Sequence, residues 1–381
     1  MYVGIDIEQF VVDPYGSGIQ RVLQHLAREW PSDRVQADFV VPIGDRFGLL
    51  TPDQAAEVIG IAFRPREDDQ DLRFLVRDAL AEIDPVLVKP GDLLAIYDSW
   101  LLPEVSYLPS VLERFELFAK GMPTAMIGYD TLPMSDPANY RFKPGAAAWV
   151  SEYFRHLASA DTVVCISDYA RDSILGRLRR DPALAIGVAH PGGDHVQARP
   201  PASPQRPVFA RLGTLEARKR PVEILSAFRR AVVDRGLVAD LLFIGGASAS
   251  DEGINRAIRT AIDEGLPVRW VRGASDAEVD DLVHGSSAFL SIGTEGYGIP
   301  VLEAIRLGTP VLFDGIQPAG DLMTGHGAVR VAGLSEDDLV DTFVRYGDPS
   351  ALAALTAQID VEAVSTWAQF ATVVAEAVAS P

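Results

Sequence analysis

The chain holds a single cysteine, Cys165, so no internal disulfide can form and no Cys-x-x-Cys or Cys/His spacing of a metal site exists. Its six histidines, His25, His156, His190, His195, His284 and His326, are scattered without an HxxxH pair. A protein-held catalytic metal is therefore not expected. Basic residues are scarce: 34 Lys and Arg face 53 Asp and Glu, a formal charge of −19. A phosphate backbone would be repelled by such a surface, which argues against nucleic acid and against strong attraction to anionic lipid. No apolar run approaches the ~20 residues of a membrane span. The N-terminus reads as a strand, Tyr2–Ile7, with no basic segment leading into an apolar one, so no signal peptide is expected. A cytoplasmic chain is predicted, at most peripheral at the inner face of the membrane. G-x-S-x-G and Walker-type loops are also missing, which removes the nucleophile-elbow hydrolases and P-loop kinases. A dinucleotide fingerprint fails too, because the third glycine of G-x-G-x-x-G is Arg21 in one candidate and Val301 in the other.

What remains is an ordinary globular balance, 48% apolar and 23% charged over 381 residues, long enough for two domains. Strand-like runs alternate with helix-like ones, the pattern of doubly wound α/β units. Strands are predicted near 2–7, 37–42, 93–97, 124–128 and 162–166, then again near 208–212, 240–244, 268–271, 287–292 and 310–313. A first helix starting near Ile19 carries Ile19, Val22, Leu23, Leu26 and Trp30 on one face. Five prolines between 190 and 207 mark an interdomain connection. The expected division is an N-terminal domain over 1–195, a linker over 196–207, a second domain over 208–364 and a terminal helix over 365–381. A basic stretch at Arg171, Arg177, Arg179 and Arg180 reads as a solvated helix face.

Two segments carry chemistry. In Glu295-Gly-Tyr-Gly-Ile-Pro-Val-Leu-Glu303 two carboxylates flank a Gly-rich turn between a buried strand and a helix. Pro300 suits the first helical position and Gly308 the stop. A helix opening offers unpaired N–H groups and partial positive charge, which suit a phosphate. The carboxylates do not bind that phosphate; Glu295 before the turn and Glu303 in the first helical turn suit hydroxyl-rich parts of the same ligand. Upstream, Gly213-Thr-Leu-Glu-Ala-Arg218-Lys219-Arg220-Pro221 places a guanidinium and an ammonium where a strand ends and a helix begins, a pair able to neutralise a diphosphate.

Together these segments resemble the Glu-x7-Glu signature and the donor-phosphate block of the family 4 retaining glycosyltransferases. The resemblance is strongest over 205–315. It implies an α/β, GT-B-like fold, two doubly wound Rossmann-type domains facing across a cleft, the first binding acceptor and the second donor. It further implies transfer of a hexose from a nucleotide-diphosphate sugar to a hydroxyl acceptor, with no bound cofactor or metal. By the same resemblance Glu295 faces the transferred sugar, Glu303 holds the ribose hydroxyls, and Arg218 and Lys219 grip the diphosphate. Gly213, Tyr297 and the Gly298 and Ile299 amides line the donor site, and the terminal helix packs back on the first domain.

Three weaker elements complete the expectation. The loop Gly16-Ser17-Gly18 resembles the family's N-terminal glycine-rich donor loop. Tyr129-Asp130 resembles its His-Asp element, with Tyr in place of His; Asp130 is assigned to the sugar or serves as a cap. Gly273 lies in a loop resembling one that touches the base, while Ser275 or Asp276 is an N-cap. Tyr97, Asp98 and Trp100, with Tyr129, are candidates for an acceptor pocket or for core packing. A saccharide, lipid-linked or small-molecule acceptor fits this reading, in polysaccharide or glycoconjugate assembly. The alternatives are a nucleotide-sugar-binding regulator or scaffold without turnover, and a nucleotide-sugar epimerase of the same fold.

Overall fold

The computed structural model describes residues 1–64, 71–135, 146–248 and 251–380. Residue 381, the last of the expected terminal helix, lies outside them. The chain forms two compact units: among the described residues, 1–132, 146–191 and 366–380 belong to the first, and 133–135 with 192–365 to the second.

The first unit is built on eight strands, β1 (Tyr2–Asp6), β2 (Gln36–Ile43), β3 (Arg46–Leu50), β4 (Val86–Val88), β5 (Ser99–Leu102), β6 (Thr124–Gly128), β7 (Thr162–Cys165) and β8 (Ala185–Val188). Their order is β4-β3-β2-β1-β5-β6-β7-β8, so the winding reverses between β1 and β5. All pairings are parallel except those of β3, which runs antiparallel to both its neighbours. Central strands such as β6 are buried over their whole length, as a sheet covered on both faces requires. The helix Gly18–Arg28 is capped by the Ser17 hydroxyl, which accepts the Gln20 N–H at 3.2 Å. Val22, Leu23 and Leu26 fill its inner face. The helix Trp367–Ala379 opens on a Thr366/Gln369 capping box and belongs to this unit, with Trp367 stacked on His25 at 4.5 Å.

Two expectations change here. Leu93–Ile96 is a short helix, and the strand begins at Ser99 instead of near 93. The basic stretch is not a uniformly solvated face. Arg180 is buried, and its guanidinium donates to the carbonyls of Leu157, Ala158, Asp161 and Ala185, tying the end of one helix to β8.

The second unit has six strands, β9 (Val208–Leu212), β10 (Asp240–Ile244), β11 (Val268–Val271), β12 (Ala288–Thr294), β13 (Val311–Ile316) and β14 (Ala328–Arg330). All pairings are parallel, in the order β11-β10-β9-β12-β13-β14. Here the winding reverses between β9 and β12. Phe209, Phe228 and Phe343 meet edge to face at 5.0 and 5.2 Å in the core under the sheet. The proline-rich segment is bound to this unit rather than free: the Arg199 N–H donates to Arg306 O at 2.8 Å, and Arg306 Nε to Val196 O at 2.8 Å. The expected fold class, α/β with two doubly wound units, is the one observed. No helix among the described residues is long and apolar enough to cross a membrane.

Candidate active site

In an open parallel sheet, ligands collect at the carboxyl ends of the strands where the winding reverses. In the second unit that point lies beyond β9 and β12. Arg218 and Lys219 follow β9 in a single turn, Ala217–Lys219, and Glu295 follows β12 directly. Glu295 Oε2 lies 2.8 Å from Arg218 Nη1, and Oε1 lies 3.1 Å from Lys219 Nζ. Arg218 also donates to Thr294 O at 2.7 Å and pairs with Glu216 at 2.7 Å. The two motifs, 77 residues apart along the chain, thus share one cluster.

Glycines make this contact possible. A Cβ on Gly293 would stand 2.1 Å from Arg218 O, and one on Gly213 would stand 2.8 Å from Lys219 Nζ. Both residues have φ beyond +110°, a region L side chains rarely adopt. The basic turn therefore lies flat on the end of β12.

Electrostatics follow from the burial. Burial opposes ionisation of Glu295, but Lys219, Arg218 and Arg211 outweigh it and bring the carboxyl down to about 2. Burial likewise pushes the Lys219 ammonium below its ordinary value, and Glu295 counters only part of this. Arg211, on β9 and 5% exposed, was missed from the sequence; burial takes its guanidinium down to about 10. A signal was present, since a charged residue in the apolar run Val208-Phe-Ala-Arg-Leu212 shares the face of Gly213 two positions on.

The turn after Glu295 ends at Gly298, φ +104°, and the helix Ile299–Arg306 begins behind it. Pro300 thus occupies the second helical position, and Glu303 lies beyond the first turn where it was expected. Glu303 instead faces His195, whose Nε2 is 2.9 Å from Oε1, and both side chains are largely buried. His195 is the second residue missed; nothing in its local sequence sets it apart. Tyr297 is buried, with its hydroxyl 3.4 Å from Ser365 Oγ. Gly273 follows β11 with open space above it, and Ser275 caps the next helix in a capping box with Glu278.

The remaining predicted residues belong to the first unit. Gly16, at φ +67°, and Ser17 lead into the helix that starts at Gly18; the Gln20 amide oxygen accepts the Tyr15 and Gly16 N–H groups at 2.9 Å each. Asp130 accepts the Leu132 N–H at 2.8 Å, and the buried Tyr129 donates to Pro103 O at 2.8 Å. Tyr97, Asp98 and Trp100 were expected at a strand's end; they stand at its beginning, because the strand starts at Ser99. Trp100 is fully buried, Tyr97 donates to Asp38 at 2.9 Å, and Asp98 accepts the Tyr2 N–H at 2.8 Å. In this unit Trp100 and Tyr97 pack in the core, and Asp98 holds the start of β1.

Comparison with known proteins places this geometry. Residues 195–327 match the sequence model of a family described as glycosyl transferases group 1. The serotype-specific mannosyltransferase WbdA of Escherichia coli is 24% identical over 268 residues, 64% of this chain. The chain spans about a third of that relative's length, the matched part being 32% of it. Among solved structures, Anabaena Alr3699/HepE in complex with UDP aligns over 100% of both chains with a TM-score of 0.65 at 14% identity. WaaG, a glycosyltransferase involved in lipopolysaccharide biosynthesis, aligns over 100% of both with a TM-score of 0.63 at 15% identity. At such identities the likeness speaks for the fold alone, and that fold is the expected GT-B-like class.

Proposed function

We propose, starting from a segment that matches the group 1 glycosyl transferases and carries their chemistry at a sheet's switch point, that this chain is a retaining hexosyltransferase. Its donor is a nucleotide-diphosphate sugar and its acceptor a hydroxyl, in polysaccharide or glycoconjugate assembly. The observation that carries this reading is the convergence of Arg218, Lys219 and Glu295 on the ends of β9 and β12. Similarity to a mannosyltransferase and to a protein solved with UDP supports the same class of donor.

The hard step is departure of the diphosphate, with charge building on its oxygens. Arg218, Lys219 and the amides at Gly298 and Ile299 stabilise that charge without a divalent ion. The acceptor hydroxyl attacks from the face the diphosphate leaves, so the departing phosphate takes its proton and the anomeric configuration is retained. Glu295 orients the transferred sugar, and Glu303, held by His195, reads the ribose hydroxyls.

One feature favours a second reading, a nucleotide-sugar-binding protein without turnover. Tyr129 stands where the resembled family has His, and its hydroxyl is committed to Pro103 O. A thermal-shift panel of nucleoside diphosphates and their sugars identifies the donor. Release of free nucleotide on adding saccharide acceptors, with the product's anomeric configuration read by NMR, then separates the readings. Stabilisation by no member of the panel refutes both; binding without release supports the second.

A further inference from the structure

Arg211 is the least expected charge in the second unit. It is 5% exposed, on a strand whose preceding residues Phe209 and Ala210 are fully buried. Its guanidinium donates to Leu212 O, and among the described residues no carboxylate lies within 4.0 Å of it. A buried guanidinium with no carboxylate in direct contact is costly, and Glu295 at longer range offsets only part of that cost. Its guanidinium lies beside Gly213. A Cβ built there would be 2.8 Å from Lys219 Nζ and 3.9 Å from Arg211 Nη1, so both cations converge on one point above that glycine. With Arg218 they make three cations, against Glu295 and the more exposed Glu216. The three cations repel one another in a largely buried place, and the repulsion loosens the hold of Arg211 and Lys219 on their protons.

We propose that Arg211 is a positioning residue for the leaving group: a third cation, set beneath Arg218 and Lys219, that makes the site prefer a nucleoside diphosphate over the corresponding monophosphate. The inference rests on the donor reading above. The proposed role is electrostatic and needs no direct contact with the ligand. It adds one unit of positive potential under the point where a second phosphate brings additional negative charge. One charge acting over about 7–10 Å at an effective dielectric of ~20 changes affinity by roughly ten- to fiftyfold.

The test is calorimetric titration of the full chain with UDP, UMP, GDP and GMP, for wild type, R211M and R211K. Wild type is expected to bind one diphosphate well and its monophosphate more weakly. R211M is expected to lose at least tenfold in diphosphate affinity and less for the monophosphate, so that the ratio collapses; R211K restores most of it. A second readout is the alkaline limb of diphosphate binding, where Lys219 loses its proton. Removal of a repelling neighbour moves that limb to higher pH in R211M, which loss of packing alone would not do. R211Q replaces R211M should the latter fail to fold by circular dichroism. If wild type binds neither diphosphate, the donor reading fails and this proposal with it. If wild type binds but the folded variant keeps both the ratio and the limb, the donor reading stands and the role of Arg211 is refuted.

Discussion

Replacing Glu295 by Gln removes a carboxylate that both Arg218 and Lys219 contact, with consequences that follow from its burial and charge. In the folded chain this carboxyl is held at about 2 against an ordinary 4.5, in spite of its burial. At ~1.4 kcal/mol per pH unit, the cluster contributes about 3 kcal/mol when Glu295 is ionised. The sign follows from the depressed value: the contribution is complete above pH ~4.5 and is lost as pH falls toward 2. Glu295→Gln should therefore destabilise the protein at pH 7 by about 3 kcal/mol, a fall of roughly 5–10 °C in Tm for a unit of this size. Below pH 3 the gap between variant and wild type should close. The same change leaves three largely buried cations without their shared carboxylate, so an added anion should bind more tightly, by about tenfold, while sugar transfer drops. Differential scanning fluorimetry with and without a saturating nucleoside diphosphate reads both effects. A ligand at one hundred times its Kd adds about 2.7 kcal/mol, enough to restore most of the lost Tm. If the variant melts like wild type at pH 7, or gains no more from the diphosphate than wild type does, Glu295 is not the counter-ion of the two cations and the reasoning fails.

Glu104 yields a second pH test. It is buried with Oε2 unpaired, and burial raises its carboxyl to about 8, partly offset by hydrogen bonds from Gln20 and the Phe10 N–H. Stability should then fall between pH ~4.5 and 8 by up to ~1.4 kcal/mol per unit, and Glu104→Gln should flatten that fall in Tm-versus-pH curves. A wild-type curve that is flat over this window refutes it. Gly293→Ala puts a Cβ against Arg218 O at a φ of +112°, so diphosphate affinity should drop more than tenfold, with a loss of about 1–3 kcal/mol in stability by denaturant titration. Unchanged affinity would show that the turn need not lie on β12. Glu303→Ala should abolish discrimination between ribo- and 2′-deoxyribonucleoside diphosphates, by about tenfold, and leave pyrophosphate binding unchanged in competition assays. A retained preference for ribose would take the sugar-reading role away from Glu303.

The fold class was legible because long central strands announce themselves: Ala288–Ile292 and Thr162–Cys165 are continuous apolar runs with turn residues around them. Three edge strands did not: β4, β8 and β14 are brief, and Val86 and Leu87 face outward, leaving no apolar period to detect; β3, inside the sheet beside β4, also went unread. Leu93–Ile96 was read as a strand because four apolar residues carry no periodicity; the Pro90-Gly-Asp92 turn before it starts a helical turn instead. That shift turned Tyr97 and Trp100 from a strand's end to its beginning. In the candidate site, Arg218, Lys219, Glu295 and the Gly298 turn could be picked out because glycine and proline punctuate them. His195 could not, since it acts through a tertiary neighbour, meeting Glu303 across 108 residues of sequence; Arg211 carried a signal, a charge within an apolar run, that the punctuation by glycine and proline does not mark. The boundary of the helix at Ile299 moved by one residue, and with it Glu303 left the first turn.

On the proposed function a diphosphate sits between the Arg218–Lys219 turn and the opening of the helix at Gly298. A crystal structure of the chain soaked with the nucleoside diphosphate selected by thermal shift measures this directly. The expected density shows one phosphate within hydrogen-bond distance of Lys219 Nζ and Arg218, and the other on the Gly298 and Ile299 amides. Ordered diphosphate elsewhere on the protein, with Glu295 still bridging both cations over an empty turn, would contradict the account.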